Sequence, residues 1–404
     1  MTPRAARFPH VDALRAIAAI AVLGTHAAIF AGADYPGSTA GHYAQRLEVG
    51  VAIFFVISGF LLYRPFAAAR AAGAPLPRTA AYAWRRGLRI VPGYWLALTV
   101  SALVLGTAGV FTLGGLRFYA FGQTYEEATI SGGLTQAWTL CIEVAFYAFL
   151  PLWAWLLRRV GGRGARAEAL ALVALAAASV AWKVGVLSGM DPHQIEVTPL
   201  LISLPSYLDQ FALGMGLAVL TVWLEGRPEP PAAVRFVDRF PIAAWSVALV
   251  AFWVVSMRIG IGNRLFEPMT PAQYFGRHEL YALIGIAMVV PAAIGTPGRG
   301  VVRRLLANRV LGWLGVVSYG IYLWHLTVFS LLDRWGFRGV APIHPYLAWP
   351  VAGLLGSAAV AAAGWYGFER PLLAFKRLVP ARRGAVRARR GAAPAPLADD
   401  RAAP

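Results

Sequence analysis

VDALRAIAAIAVLGTHA, residues 11–27, is an apolar stretch broken by two ionisable side chains, Arg15 and His26. Eleven residues at 100° each come to about three turns plus roughly 20°, so both side chains share one helix face, about 16 Å apart along the axis. An ionisable residue inside a membrane span is a functional hypothesis by default. Two on one face outline a path.

The rest of the chain supports the membrane reading. Of its 404 residues 58% are hydrophobic and only 14% charged, with a mean hydropathy of +0.58, against about 25% charged in soluble domains. Apolar runs of about 20 residues fall near 11–31, 48–66, 88–110, 137–157, 168–188, 201–223, 240–257, 279–296, 309–332 and 346–368. The expected fold class is therefore all-α: a polytopic membrane helix bundle of about ten transmembrane helices. A cleaved signal peptide fits the basic start of the first stretch, but Arg15 and His26 interrupt it and nine more spans follow. The bundle is expected over 1–375, with a disordered basic cytoplasmic tail over 376–404.

Basic residues orient the chain. Of 37 Lys and Arg, 28 fall at the N-terminus, in the even-numbered loops or in the tail, which puts both termini in the cytoplasm. The net charge of +18 mostly reflects this asymmetry, and its scatter over loop ends argues against nucleic acid as a partner. Cys141 is the one cysteine, so neither a disulfide framework nor a thiolate metal cluster is expected, and no metal is called for. The Arg-rich, Lys-poor composition suggests a bacterial gene of high GC content.

Chemistry must then come from polar groups at depth. If the first span starts near Val11, His26 lies about 22 Å in, in the outer third of a hydrocarbon core about 30 Å thick. Glu143, descending from Ala137 in the fourth span, lies about 9 Å below the outer surface, at nearly the same level. A carboxylate and an imidazole at one depth can form a general-base pair. The alternatives are interhelical hydrogen bonding for His26 and a structural ion pair with an arginine for Glu143. In SYGIYLWH, Ser318, Tyr322 and His325 stand at i, i+4 and i+7, and His325 is a second base or part of an interfacial aromatic belt. Arg85, Arg86 and Arg89, with Arg15 one turn inside its span, offer guanidinium forks suited to phosphate oxygens on the cytoplasmic side, or simply a topogenic charge. The outer loops at 111–136 and 258–278, the latter with Arg258, Arg264, Glu267, Arg277 and His278, either touch an acceptor or are ordinary solvated segments.

Six blocks in order now carry a resemblance: VDALRAIAAIAVLGTHA at 11–27, GVAIFFVISGFLL at 50–62, RRGLRIVPGYWLAL at 85–98, WTLCIEVAFYAFLPLW at 138–153, LGVVSYGIYLWHL at 314–326 and FERPLLAF at 368–375. The chain resembles the acyltransferase 3 family of integral membrane acyltransferases, which includes surface-glycan O-acetylases and macrolide acyltransferases. The resemblance implies an O-acetyltransferase of the bacterial plasma (inner) membrane, moving an acyl group, usually acetyl from cytoplasmic acetyl-CoA, to a hydroxyl of a glycan or small-molecule acceptor. It implies that His26 is essential, as general base or acyl carrier, and that Arg15, Arg86 and Arg89 serve the basic motifs, with Arg85 beside them. Glu143 matches the first acid of a usual Glu-Glu pair, and Glu369 with Pro371 a Glu-x-Pro ending, assigned to donor binding or architecture. Val144, Ala145 and Ala52 depart from the pattern, where an acid, an amide and an Asp are usual. Some relatives carry an appended extracytoplasmic domain, so a separate partner protein could finish the transfer. The rival reading is a secondary transporter of a polar solute, which also places His, Glu and Arg at midplane.

Overall fold

The computed structural model describes residues 8–32, 38–160, 164–191, 198–262, 269–340 and 343–379. Helices make up the regular structure among them: α1 (Pro9–Phe30), the short α2 (Thr39–Arg46), α3 (Gly50–Ala71), α4 (Thr79–Leu105), α5 (Trp138–Val160), α6 (Ala165–Ser188), α7 (Leu204–Glu225), α8 (Ala232–Arg239), α9 (Pro241–Met257), α10 (Pro271–Ala293), α11 (Gly300–Leu306), α12 (Arg309–Arg334) and α13 (Pro345–Gly364). Several start with proline in the first turn, where the missing N–H has no intrahelical partner to lose.

Large apolar side chains cover the outside as well as the core. Leu152, Leu170, Leu249 and Leu355 are each about two-thirds exposed on long helices, which water would not tolerate over so many faces but a lipid solvent does. Eight of the described helices are long and apolar enough to cross a membrane, or nine if α8 and α9, which meet at a bend of 84°, form one broken span. The expected span at 279–296 corresponds to α10, which falls outside that set. It starts eight residues earlier than expected and carries Arg277, His278 and Glu279 in its first turns. Its start is written in TPAQ: Thr270 caps the helix, Pro271 opens it, and Gln273 returns the bond to the Thr270 backbone. The third span also moves, from an expected start at 88 to Thr79, so the basic motif lies inside α4 instead of at its entrance.

α1 runs through the middle of the bundle, packed on α3, α12 and α13, while α3 lies against α7. The α3–α7 crossing is very close: a Cβ on Gly59 would meet the Phe211 carbonyl oxygen at 2.2 Å, and one on Gly214 the Val56 carbonyl oxygen at 2.1 Å. With no hydrophobic drive between helices in lipid, such close backbone approach is what holds a pair together. Near the end of the sequence, Pro371 cannot supply an N–H, and the chain widens into a π turn over Trp365–Glu369. Lys376 and Arg377 then close a 3₁₀ turn (Leu373–Arg377); the remainder of the expected tail, from 380, lies outside the described residues.

Arg303 fastens the end of the bundle that holds the α8–α9 elbow. Fully buried, it donates from Nε to Pro291 O (2.9 Å), from Nη1 to Asp238 O (3.0 Å) and Arg299 O (3.2 Å), and from Nη2 to Ile294 O (2.9 Å). Its ion pair with Asp238 is 3.4 Å long. Arg303→Ala strands these carbonyls and the Asp238 charge, so unfolding in detergent should lose about 3–5 kcal/mol, the range for removing one partner of a buried pair. A melting temperature equal to the parent's would show that the elbow is held by other contacts.

Candidate active site

His26, four residues from the end of α1, meets His325 of α12. The ring centroids are 4.9 Å apart, and His26 Nδ1 lies 3.2 Å from His325 Nε2. Backbone carbonyls settle the tautomers, because they only accept. His325 Nδ1–H donates to Tyr322 O (2.8 Å) and His26 Nδ1–H to Val22 O (2.9 Å). In the neutral rings His325 Nε2 therefore holds a lone pair towards His26 Nδ1–H, and among the described residues nothing bonds His26 Nε2, which keeps its lone pair as a base. This is the arrangement in which a second group orients a catalytic imidazole, here with a histidine in the orienting place.

The expected His26–Glu143 pair does not form. Equal depth fixes height but not azimuth, and α3 stands between α1 and α5. Glu143 Oε1 instead accepts from Ser58 Oγ (2.6 Å) and Tyr147 OH (2.7 Å). The carboxylate whose charge reaches His26 is Glu48, in the turn before α3.

Glu143 borders a cavity of about 830 Å³, its open mouth included, which also exposes Arg15, Arg86 and Arg89. Three guanidiniums and one carboxylate line it, one of the three, Arg89, also being paired with Glu369 behind the wall. Arg89 sits 3.8 Å from Glu369 and lies over the faces of Trp365 (4.8 Å) and Tyr319 (5.9 Å), a setting that keeps the fork planar and desolvated. Arg15 is within electrostatic reach of both Arg89 and Glu369. Arg85, one residue from Arg86, is turned away and does not line the cavity. From the arginines the walls continue past Tyr319 and Tyr147 to Thr139 and Val51, in the first turns of α5 and α3.

Tyr322 and Phe54 close that far end. The Tyr322 hydroxyl is fixed at 2.5 Å from both Thr139 Oγ1 and Gln136 O, and its ring lies 5.8 Å from that of His325. The imidazole pair thus stands one aromatic layer beyond the cavity wall. Of the expected Ser318, Tyr322 and His325 face, Ser318 only bonds back to Gly315 O (2.9 Å).

A second polar group was not expected as a unit. Lys183 of α6, fully buried, bonds both Asp209 of α7 and Glu279 of α10, the latter at 2.7 Å. His278 Nε2 lies 3.3 Å from Asp209. The next residue back, Arg277, reaches Glu48 Oε1 at 3.1 Å. Arg277 and His278 are therefore helix residues turned into the bundle and not part of a solvated loop; Arg264 and Glu267 lie outside the described residues. Lys183 and Asp209 each stood alone in a separate span, and the signal that could have put Arg277, His278 and Glu279 on a helix facing them was the capped start of α10.

An acyltransferase domain profile matches residues 8–367. The exopolysaccharide production protein ExoZ of Rhizobium meliloti is 31% identical over 82% of this chain and 92% of its own. Nodulation protein 10 of Rhizobium leguminosarum is 27% identical over 83% and 85%. The peptidoglycan O-acetyltransferase OatA of Listeria monocytogenes is 22% identical over 80% of this chain but 49% of its own length. No solved structure matches. A bundle of membrane-length helices, a guanidinium-lined cavity and an imidazole pair of which His325 is buried lie within the matched residues, and the chain belongs to the acyltransferase 3 family of integral membrane acyltransferases.

Proposed function

We propose that this enzyme transfers an acyl group, acetyl in the first instance, from acyl-CoA to a hydroxyl of a cell-envelope glycan. The phosphates of the donor lie against Arg15, Arg86 and Arg89, and the pantetheine arm follows the cavity to the Tyr322–Phe54 layer, which has to part for the thioester to reach His26. His26 Nε2 takes the proton of the acceptor hydroxyl as the oxygen attacks the thioester carbonyl carbon. The carbon–sulfur bond then breaks, and the thiolate leaves with the proton returned from His26. The observation that carries this reading is the tautomer pattern, which leaves Nε2 of His26 as the free base while His325 holds the other nitrogen. Two relatives, an exopolysaccharide production protein and a peptidoglycan O-acetyltransferase, support a glycan as acceptor. The basic-residue bias supports cytoplasmic termini in a bacterial inner membrane, with the arginines nearer the cytoplasm and His26 nearer the far side.

The direct test uses the purified protein in lipid nanodiscs, given acetyl-CoA and envelope polysaccharide stripped of its esters by mild alkali. Free CoA and glycan-bound acetyl should appear in equal amounts. A protein that releases no CoA but moves a labelled polar solute across vesicles would establish the transporter reading instead.

A further inference from the structure

Glu48 lies in the turn before α3, packed along α1 just short of His26, and among the described residues it is held from one side only. All three neighbouring donors address the same oxygen: Arg277 Nη1 lies 3.1 Å from Oε1, Tyr281 OH 3.0 Å, and Arg46 Nη1 4.0 Å. Among the described residues no donor reaches Oε2, and the side chain is 32% exposed. A carboxylate fixed through one oxygen with the other accessible is a preset hydrogen-bond acceptor.

Its position is fixed against α1 near His26. Leu47 packs at Gly24, and a Cβ on Gly50 would meet the Ala18 carbonyl oxygen at 2.3 Å. Thr25, next to His26, donates to Ala44 O at 3.0 Å. Residues 44–50 are thereby clamped to α1 along the turns that lead to His26, and the Glu48 charge reaches that ring. Val51, one turn on from Glu48, borders the donor cavity. Aromatic walls stand beside it. Tyr207, within electrostatic reach of Glu48, stacks edge-on to the cavity residue Phe55 at 5.3 Å and lies 5.9 Å from Trp138. The buried Lys183–Asp209–Glu279 group holds α10 so that Arg277 faces Glu48.

Resting on the acyltransferase reading above, we infer that Glu48 is the acceptor subsite: it binds a polyhydroxyl substrate through Oε2, accepting from one sugar hydroxyl so that another hydroxyl of the same acceptor is presented to His26. Aromatic faces and a carboxylate about one-third exposed suit the apolar faces and donating rims of pyranose rings. A simple alcohol with a single hydroxyl lacks the second donor and is a poor acceptor.

The test measures saturation by each substrate separately, using acetyl-CoA and the alkali-treated envelope polysaccharide with the full-length protein. Glu48→Gln keeps size and loses charge; the half-saturating glycan concentration should rise about 10- to 100-fold, as for a lost hydrogen bond to a charged group, while that of acetyl-CoA stays put. The exchange Glu48→Arg with Arg277→Glu restores the ion pair and the melting temperature but should leave glycan saturation impaired. Full recovery of glycan saturation by the exchange, or a Glu48→Gln enzyme that saturates with glycan like the parent, overturns the subsite alone. A parent enzyme that releases no CoA from acetyl-CoA overturns the acyltransferase reading and this subsite with it.

Discussion

His26→Ala is expected to abolish ester transfer, with kcat falling about 10²- to 10⁴-fold, the range for a lost general base, and with the half-saturating acetyl-CoA concentration unmoved. With the donor contacts proposed on the arginines, loss of the imidazole should appear in kcat alone. His325 makes a graded companion. His325→Phe fills the same space but removes the lone pair facing His26 Nδ1–H, leaving Val22 O as the single described acceptor. The His26 ring then keeps its chemistry and loses its aim, so the fall in kcat should be smaller than for His26→Ala. His325→Gln, whose Oε1 can accept from Nδ1–H, should recover part of it. A His325→Phe enzyme with the parent kcat would remove the orienting role, and a His26→Ala enzyme with parent activity would remove the base.

Much of this site could be read from residue spacing, and the limits of that reading are physical. A helix has a known period and rise, so Arg15 and His26 could be put on one face and at two depths, but the path expected between them is interrupted: Arg15 lines the cavity, and His26 lies beyond its Tyr322 and Phe54 wall, against His325. Depth alone could not choose between Glu143 and His325 as the neighbour of His26, because it says nothing about which helices touch. Glu48 was hidden for another reason. It lies in a short turn before α3, between segments whose hydropathy carried the reading, and its importance comes from Arg277, 229 positions away. Arg277 itself was misplaced because polar residues in the first turns of α10 lowered its hydropathy below that of a span, although its cap was legible. The Lys183, Asp209 and Glu279 group spans three helices, and no local pattern announces a contact between distant segments.

Arg89 carries the second large effect, and here architecture and binding must be separated. Arg89→Ala removes a fork from the cavity wall, and one charged hydrogen-bonding contact to phosphate is worth about 1.5–3 kcal/mol, or roughly 10- to 100-fold in half-saturating acetyl-CoA. It also leaves Glu369, which is 7% exposed, without its nearest cation, so a loss of folded protein would mimic a loss of affinity. Glu369→Gln removes that stranded charge. The double variant should therefore melt close to the parent while still needing far more acetyl-CoA, and 3′-phosphoadenosine 5′-diphosphate, which has the nucleotide phosphates without the thioester arm, should lose inhibitory strength in the same proportion. Arg89→Lys separates shape from charge: an ammonium keeps the positive sign over Trp365 but cannot bond two phosphate oxygens in one plane, so it should restore stability more fully than affinity. If the double variant saturates at the parent's acetyl-CoA concentration, Arg89 serves only to hold Glu369 and the π turn in place, and the donor phosphates must be bound by Arg15 and Arg86 without it.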